Sequence, residues 1–176
     1  MMRRPLARIV APFAASGLAL ALALPAAAHD NHYKANLDGF EEVPAVLSPA
    51  VGKFTARLNK AGTELAYELR YEDFANTVTQ AHIHFAQKGV NGGIVVFLCS
   101  NLGNGPAGTP ACPPGEGTIA GTMTAANVLG PGGQGLQARQ FDALARAIRA
   151  GIAYVNVHSS TFASGEIRGQ INDDDD

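Results

Sequence analysis

The nine residues TELAYELRY, Thr63 to Tyr71, alternate in character, with Ala66 the one apolar residue on the polar side. Leu65, Tyr67, Leu69 and Tyr71 leave an extended chain on one side, while Glu64, Glu68, Arg70 and the following Glu72 leave on the other. Successive side chains of a strand point to opposite faces, so the pattern specifies a strand with one dry and one wet face. The preceding run GKFTARLN, from Gly52, carries Phe54, Ala56 and Leu58 at the same period. A short link containing glycine, Asn59-Lys60-Ala61-Gly62, joins the two runs, which therefore read as an antiparallel hairpin. Strand character recurs at Tyr33 to Leu37, Thr79 to Phe85, Gly93 to Leu98, Gly117 to Thr124, Ala153 to His158 and Glu166 to Ile171. About eight short strands with turn residues between most of them form the pattern of an antiparallel sandwich or barrel.

One segment departs from that period. ARQFDALARAIRAG places Phe141, Leu144, Ala145 and Ile148 at helical spacing, with Arg and Asp at its other positions. It predicts a short amphipathic helix of about three turns. Arg146 and Arg149 fall where a helix favours positive charge, and Gly151 can take the left-handed conformation that ends it.

Residues 1–28 have the layout of a secretory signal peptide. Arg3, Arg4 and Arg8 precede an almost wholly apolar run, Ala14 to Leu24, and Ala26-Ala27-Ala28 supplies small residues for cleavage. The run is short for a membrane span, which takes about 20 residues. The expectation is export, cleavage before His29 and no membrane span in the mature chain, hence a secreted or periplasmic protein. The leader takes three of the 13 basic residues and none of the 15 acidic ones, leaving ten against 15, a formal charge of −5. That balance argues against nucleic acid as a partner, which calls for a basic patch. Residues 29–172 read as one domain, and Asp173 to Asp176 as a solvated acidic tail. Cys99 and Cys112 are expected to form a disulfide across the Gly- and Pro-rich loop NLGNGPAGTPA. Their spacing matches neither CxxC nor a zinc knuckle, the marks of a redox or metal-thiolate pair.

His82 and His84 share a parity on their strand, so both imidazoles leave from one face. His158 ends another strand on the face of Tyr154 and Asn156. If those strands are neighbours, three neutral imidazoles would make a site suited to copper or zinc. A strand histidine is more often a hydrogen-bonded packing residue than a ligand, so a polar structural network is the competing reading, and without that adjacency the cluster does not exist. Pairing YVNVH with EIRGQ across SSTFAS in one register sets Glu166 against His158, Arg168 against Asn156 and Gln170 against Tyr154, all on one polar face. Glu166 would then orient His158 or pair with Arg168.

The segments LDGFEEVPAV, AHIHFAQKGVNGGIVVFL and FDALARAIRAGIAYVNVHSSTFASGEIRGQI, taken together, resemble the CHRD domain, named for chordin, in the type found in exported bacterial proteins. The resemblance runs from about Tyr33 to Asn172. It implies an all-β, antiparallel Greek-key sandwich, immunoglobulin-like or superoxide-dismutase-like, of about eight strands. The family's marked residues fall on Glu42, His82, His84, Gly89, Asn91, Gly92, Asn156, His158, Glu166, Arg168 and Gly169. Gly93 and Ser159-Ser160 stand where the family pattern has proline and threonine. The His-x-His also looks like the copper-ligand strand of copper/zinc superoxide dismutase.

The resemblance implies a binding module more than a catalyst; the expected partner is an unidentified protein or small ligand, and the expected state a monomer or weak homo-oligomer. The sequence offers no GxSxG, phosphate loop or HExxH that would mark an enzyme. Two other classes compete with this expectation: a mononuclear copper or zinc metalloenzyme of redox type, and a structural envelope or matrix component. A start at His29 would add a second copper chelate from its α-amine and imidazole, with His32 close by.

Overall fold

A computed structural model describes residues 31–174. The expected signal segment, His29 and the last two aspartates lie outside the described residues. Eight strands carry the fold: β1 (His32–Asp38), β2 (Val51–Leu58), β3 (Leu65–Glu72), β4 (Val78–Phe85), β5 (Gly93–Ser100), β6 (Gly117–Met123), β7 (Ala153–Ser159) and β8 (Ile167–Gln170). A two-residue β9 (Asn172–Asp173) pairs with β1, and one helix, α1 (Phe141–Arg149), precedes β7. No helix among the described residues is long and apolar enough to cross a membrane.

The predicted hairpin is β2–β3, in register from Val51 opposite Glu72 to Leu58 opposite Leu65. Asn59 holds its turn, its side-chain oxygen accepting from the backbone N–H of Thr63 and of Glu64. Leu65, Leu69 and Tyr71 are buried and Tyr67 half-buried, as their alternation requires. The strands form one continuous antiparallel sheet in the order β5-β4-β7-β8-β1-β2-β3-β6. One face of every strand in this path supplies a single apolar core, including Leu37, Phe54, Leu69, Ile83, Leu98, Ile119, Val155 and Ile167. The sheet is therefore curled nearly into a barrel, with a seam where β5 and β6 are not paired. A cleft of about 490 Å³ lies along that seam, between Val96 and Phe97 on one side and Ala120 to Met123 on the other.

The helix is shorter than its periodicity suggests, at nine residues or two and a half turns. Arg139 has a left-handed φ of 68°, which stops the helix from extending back through it. Phe141, Leu144, Ala145, Ala147 and Ile148 are buried, and Gly151 takes the left-handed conformation at the end (φ 63°). The acidic run also begins differently from a free tail. Asp173 pairs with Tyr33, and Asp174 donates its N–H to the His32 carbonyl and lies 3.5 Å from the Lys34 ammonium.

Position in the sheet decides what the outer faces of β4, β7 and β8 become. Strand β7 is flanked by β4 and β8 and is buried along its whole length. Ala153, Val155 and Val157 face the core, so Tyr154, Asn156 and His158 occupy the reverse side. That side is roofed by three loops. Segment 39–50 contributes Glu42 and Ser48, segment 86–92 wraps Arg168, and segment 160–165 meets His158. The roof is tied together by Asn91, whose side-chain amide donates to the Val43 carbonyl, and by a Lys88–Glu41 ion pair at 2.9 Å. The disulfide joins Cys99 and Cys112.

Candidate metal centre

Strands β4 and β7 are neighbours, and their register sets His82 opposite Asn156, His84 opposite Tyr154 and Gln80 opposite His158. Residues directly opposite one another in a ladder point to the same side, so His82, His84 and His158 all stand on the roofed outer face. One nitrogen from each ring lies within 4.8 Å of one from each of the others. They are 0, 8 and 6% exposed, respectively.

Hydrogen bonds fix the tautomers. His158 Nδ1 lies 3.0 Å from the Ala163 carbonyl and His84 Nδ1 lies 2.9 Å from the Gly92 carbonyl. A carbonyl only accepts, so both Nδ1 atoms carry the proton and both Nε2 atoms carry lone pairs. His82 Nδ1 is 3.1 Å from His158 Nε2, and since the latter is an acceptor, His82 also donates from Nδ1. The Nε2 atoms of His82 and His84 are left buried with no hydrogen-bond partner. Burial, reinforced by the neighbouring imidazoles, pushes the His82 ring down to about 3. His84 falls to about 4, again through burial, with the Gly92 hydrogen bond opposing the shift. Burial lowers His158 as well, against its bond to Ala163. At neutral pH these are uncharged rings, the form in which histidine binds a metal; the Nε2 lone pairs of His82 and His84 are free, whereas that of His158 accepts from His82 and would have to give up that hydrogen bond to hold an ion. Donor nitrogens in a trigonal or tetrahedral shell sit roughly 3.3–3.6 Å apart at bond lengths near 2.0–2.1 Å, so nitrogens as far apart as 4.8 Å would have to close in by about 1.2–1.5 Å to share an ion.

The remaining polar residues form a flank to this cluster. The register places Asn156 opposite Arg168 and Tyr154 opposite Gln170, as the parity of the two strands anticipates. Arg168 is 2% exposed, with its guanidinium 3.5 Å from the centre of the Tyr154 ring. It donates to the carbonyls of Val90 (2.8 Å) and Gln87 (3.4 Å) and to the Asn91 side-chain oxygen (3.2 Å). Glu166 follows neither expected course: one carboxylate oxygen accepts from the Ser48 hydroxyl at 2.6 Å, and the other is buried with no partner. His158 is oriented instead by the Ala163 carbonyl. Glu42 accepts from the Asn156 side-chain amide at 2.5 Å, and burial pushes its carboxyl up to about 7 against that bond and the Arg168 charge. Gly165 leaves room for this pair, because a Cβ there would stand 2.5 Å from a Glu42 oxygen. His32 opens β1 opposite Arg57 and is not among the three converging histidines.

Two aromatic neighbours complete the surroundings. Tyr154 stacks parallel to His84 with centroids 4.8 Å apart, and its hydroxyl accepts from the Gly92 N–H. Phe97 on β5 stands edge-on to His82 at 4.3 Å. The parity of β7 identifies Tyr154 as facing the site. Nothing local marks Phe97 or Ser48, which reach it through pairing and loop folding with distant segments.

A family model described as the CHRD domain matches residues 33–171, which contain every part of this site. No curated protein and no solved structure matches the chain.

Proposed function

The chain belongs to the CHRD domain family, and from that premise we propose that it is a binding module with a three-histidine metal centre for copper or zinc. One observation carries the reading. Two Nε2 lone pairs are buried without a partner beside a third imidazole, all on one face. An unsatisfied buried acceptor costs about 1–3 kcal/mol, and a bound ion would remove that cost at two rings together. Backbone carbonyls hold His84 and His158 by their Nδ1–H groups, which fixes the ring orientation and leaves Nε2 as the atom that would meet an ion.

Strand order supports the superoxide-dismutase-like form of the fold. Read around the seam it runs β1-β2-β3-β6-β5-β4-β7-β8, so that β6 returns beside β3 and β7 beside β4, each a Greek-key step. The leader-like segment and the disulfide support an exported protein, secreted or periplasmic. Full burial of His82 weighs against a redox enzyme, which needs an open coordination position. The partner would be a protein or small ligand, met by a monomer or weak homo-oligomer.

The test is the metal content of protein purified from an exporting host, measured beside His84→Ala. The expected result is about one copper or zinc ion per chain in the parent and a sharp fall in the variant, with circular dichroism unchanged. Folded protein that stays empty through a copper and a zinc titration overturns the proposal.

A further inference from the structure

We infer that the centre selects copper(I) and discriminates against zinc(II) and copper(II), an assignment that rests on reading the histidine cluster as a metal site. The number of donors carries it. Among the described residues, the group able to ligate one ion consists of His82, His84 and His158, with no carboxylate and no thiolate. Both cysteines are consumed in the disulfide. Phe97 and Tyr154, which pack against two of the rings, offer carbon rather than a donor at those contacts. Zinc(II) is almost always four-coordinate in proteins, taking a water where the chain gives three ligands. Copper(II) favours a tetragonal arrangement of at least four. With these rings 0, 8 and 6% exposed, beneath the covering loops and with Phe97 and Tyr154 packed on His82 and His84, little room is left for a fourth ligand from solvent. Copper(I) is stable with two or three nitrogen donors and makes no such demand.

Charge acts in the same direction. Three neutral imidazoles leave the whole charge of the ion on the site, and the cost of burying a charge rises with its square. The Arg168 guanidinium is already buried against Tyr154, and its hydrogen bonds end on three uncharged oxygens. Of the carboxyl groups on this face, Glu42 is bonded to Asn156, and Glu166 is bonded to Ser48 through one oxygen while its other oxygen is buried without a partner; neither belongs to the group whose donors can share one ion. A divalent ion therefore enters at a larger penalty than a monovalent one of the same size.

The experiment titrates the full mature protein under argon with copper(I), zinc(II) and copper(II), each in competition with a chromophoric chelator for that ion. One equivalent of copper(I), held at least roughly 100-fold more tightly than zinc(II) and more tightly than copper(II), is the expected result. Phe97→His, which brings a fourth imidazole against His82, is expected to raise zinc(II) affinity by roughly tenfold or more and to close the gap. Parity of zinc(II) or copper(II) with copper(I) in the parent overturns the copper(I) assignment and leaves the metal site standing. An unchanged zinc(II) affinity in the folded Phe97→His protein counts against coordination number as its basis. Binding of none of the three ions by folded protein removes both the assignment and the site.

Discussion

Acid should destabilise the metal-free protein in a way set by its buried ionisable groups. Between pH 6.5 and 4.5 an unfolded chain protonates His82 and His84, whereas the native rings, lowered to about 3 and about 4, do not. The unfolded state then binds more protons, so stability falls with falling pH at about 1.4 kcal/mol per unit for each ring. Over two units the pair costs about 5 kcal/mol. Glu42 works in the opposite sense. Raised to about 7, it is protonated in the native state while still ionised in the unfolded one, so it adds stability as pH falls through the same window. Its contribution is about 3 kcal/mol, leaving a net loss of about 2–3 kcal/mol, to which His158 adds in the direction of His82 and His84. Such a loss is a large share of the 5–15 kcal/mol typical of a domain. The chain has no tryptophan, so urea unfolding followed by circular dichroism at pH 7, 6, 5 and 4.5 is the suitable assay. Glu42→Gln removes the opposing term and should steepen the loss towards about 5 kcal/mol. A stability that is flat or rising from pH 6.5 to 4.5 would refute the picture of buried neutral imidazoles.

Replacing Cys99 and Cys112 together by alanine should cost about 3 kcal/mol, the loop-closure value for a separation of 13 residues, read as a drop in urea midpoint. Gly165→Ala should cost about 2 kcal/mol or more, because φ there is +135° and the new Cβ would press on Glu42 and Asn156. Wild-type stability in that variant would mean the Glu42–Asn156 pair is looser than its geometry. Arg168→Lys keeps the charge but loses the fork that reaches Val90, Gln87 and Asn91, and should cost about 2 kcal/mol. Faster amide exchange across residues 86–92 in that variant would place the loss in the roof, and unchanged exchange would contradict it.

Much of the sheet was legible because its strands obey a two-residue period. Leu65, Leu69 and Tyr71 bury as their alternation requires, and the Asn156–Arg168 and Tyr154–Gln170 pairings follow from parity alone. The meeting of His82 with His158 was legible only as a condition, since it needs β4 beside β7, a non-local pairing that no local pattern encodes. Alternation on β7 and β8 also reads as one dry and one wet face, yet both faces are buried. The cover comes from contacts such as Ser48 with Glu166 and Glu42 with Asn156, more than a hundred residues apart in the chain. For the same reason the partner of Glu166 could not be read in advance. The helix start was missed for a backbone reason, the left-handed Arg139, which side-chain periodicity does not report.

The polar cluster and the apolar core sit on opposite sides of the same strands, separated by a single sheet thickness. Under the proposed function, an ion would have to reach the imidazoles through the connecting segments that cover them, leaving the framework that sets strand spacing intact. Substitutions on the outer face can therefore alter the polar cluster without removing side chains from the apolar interior.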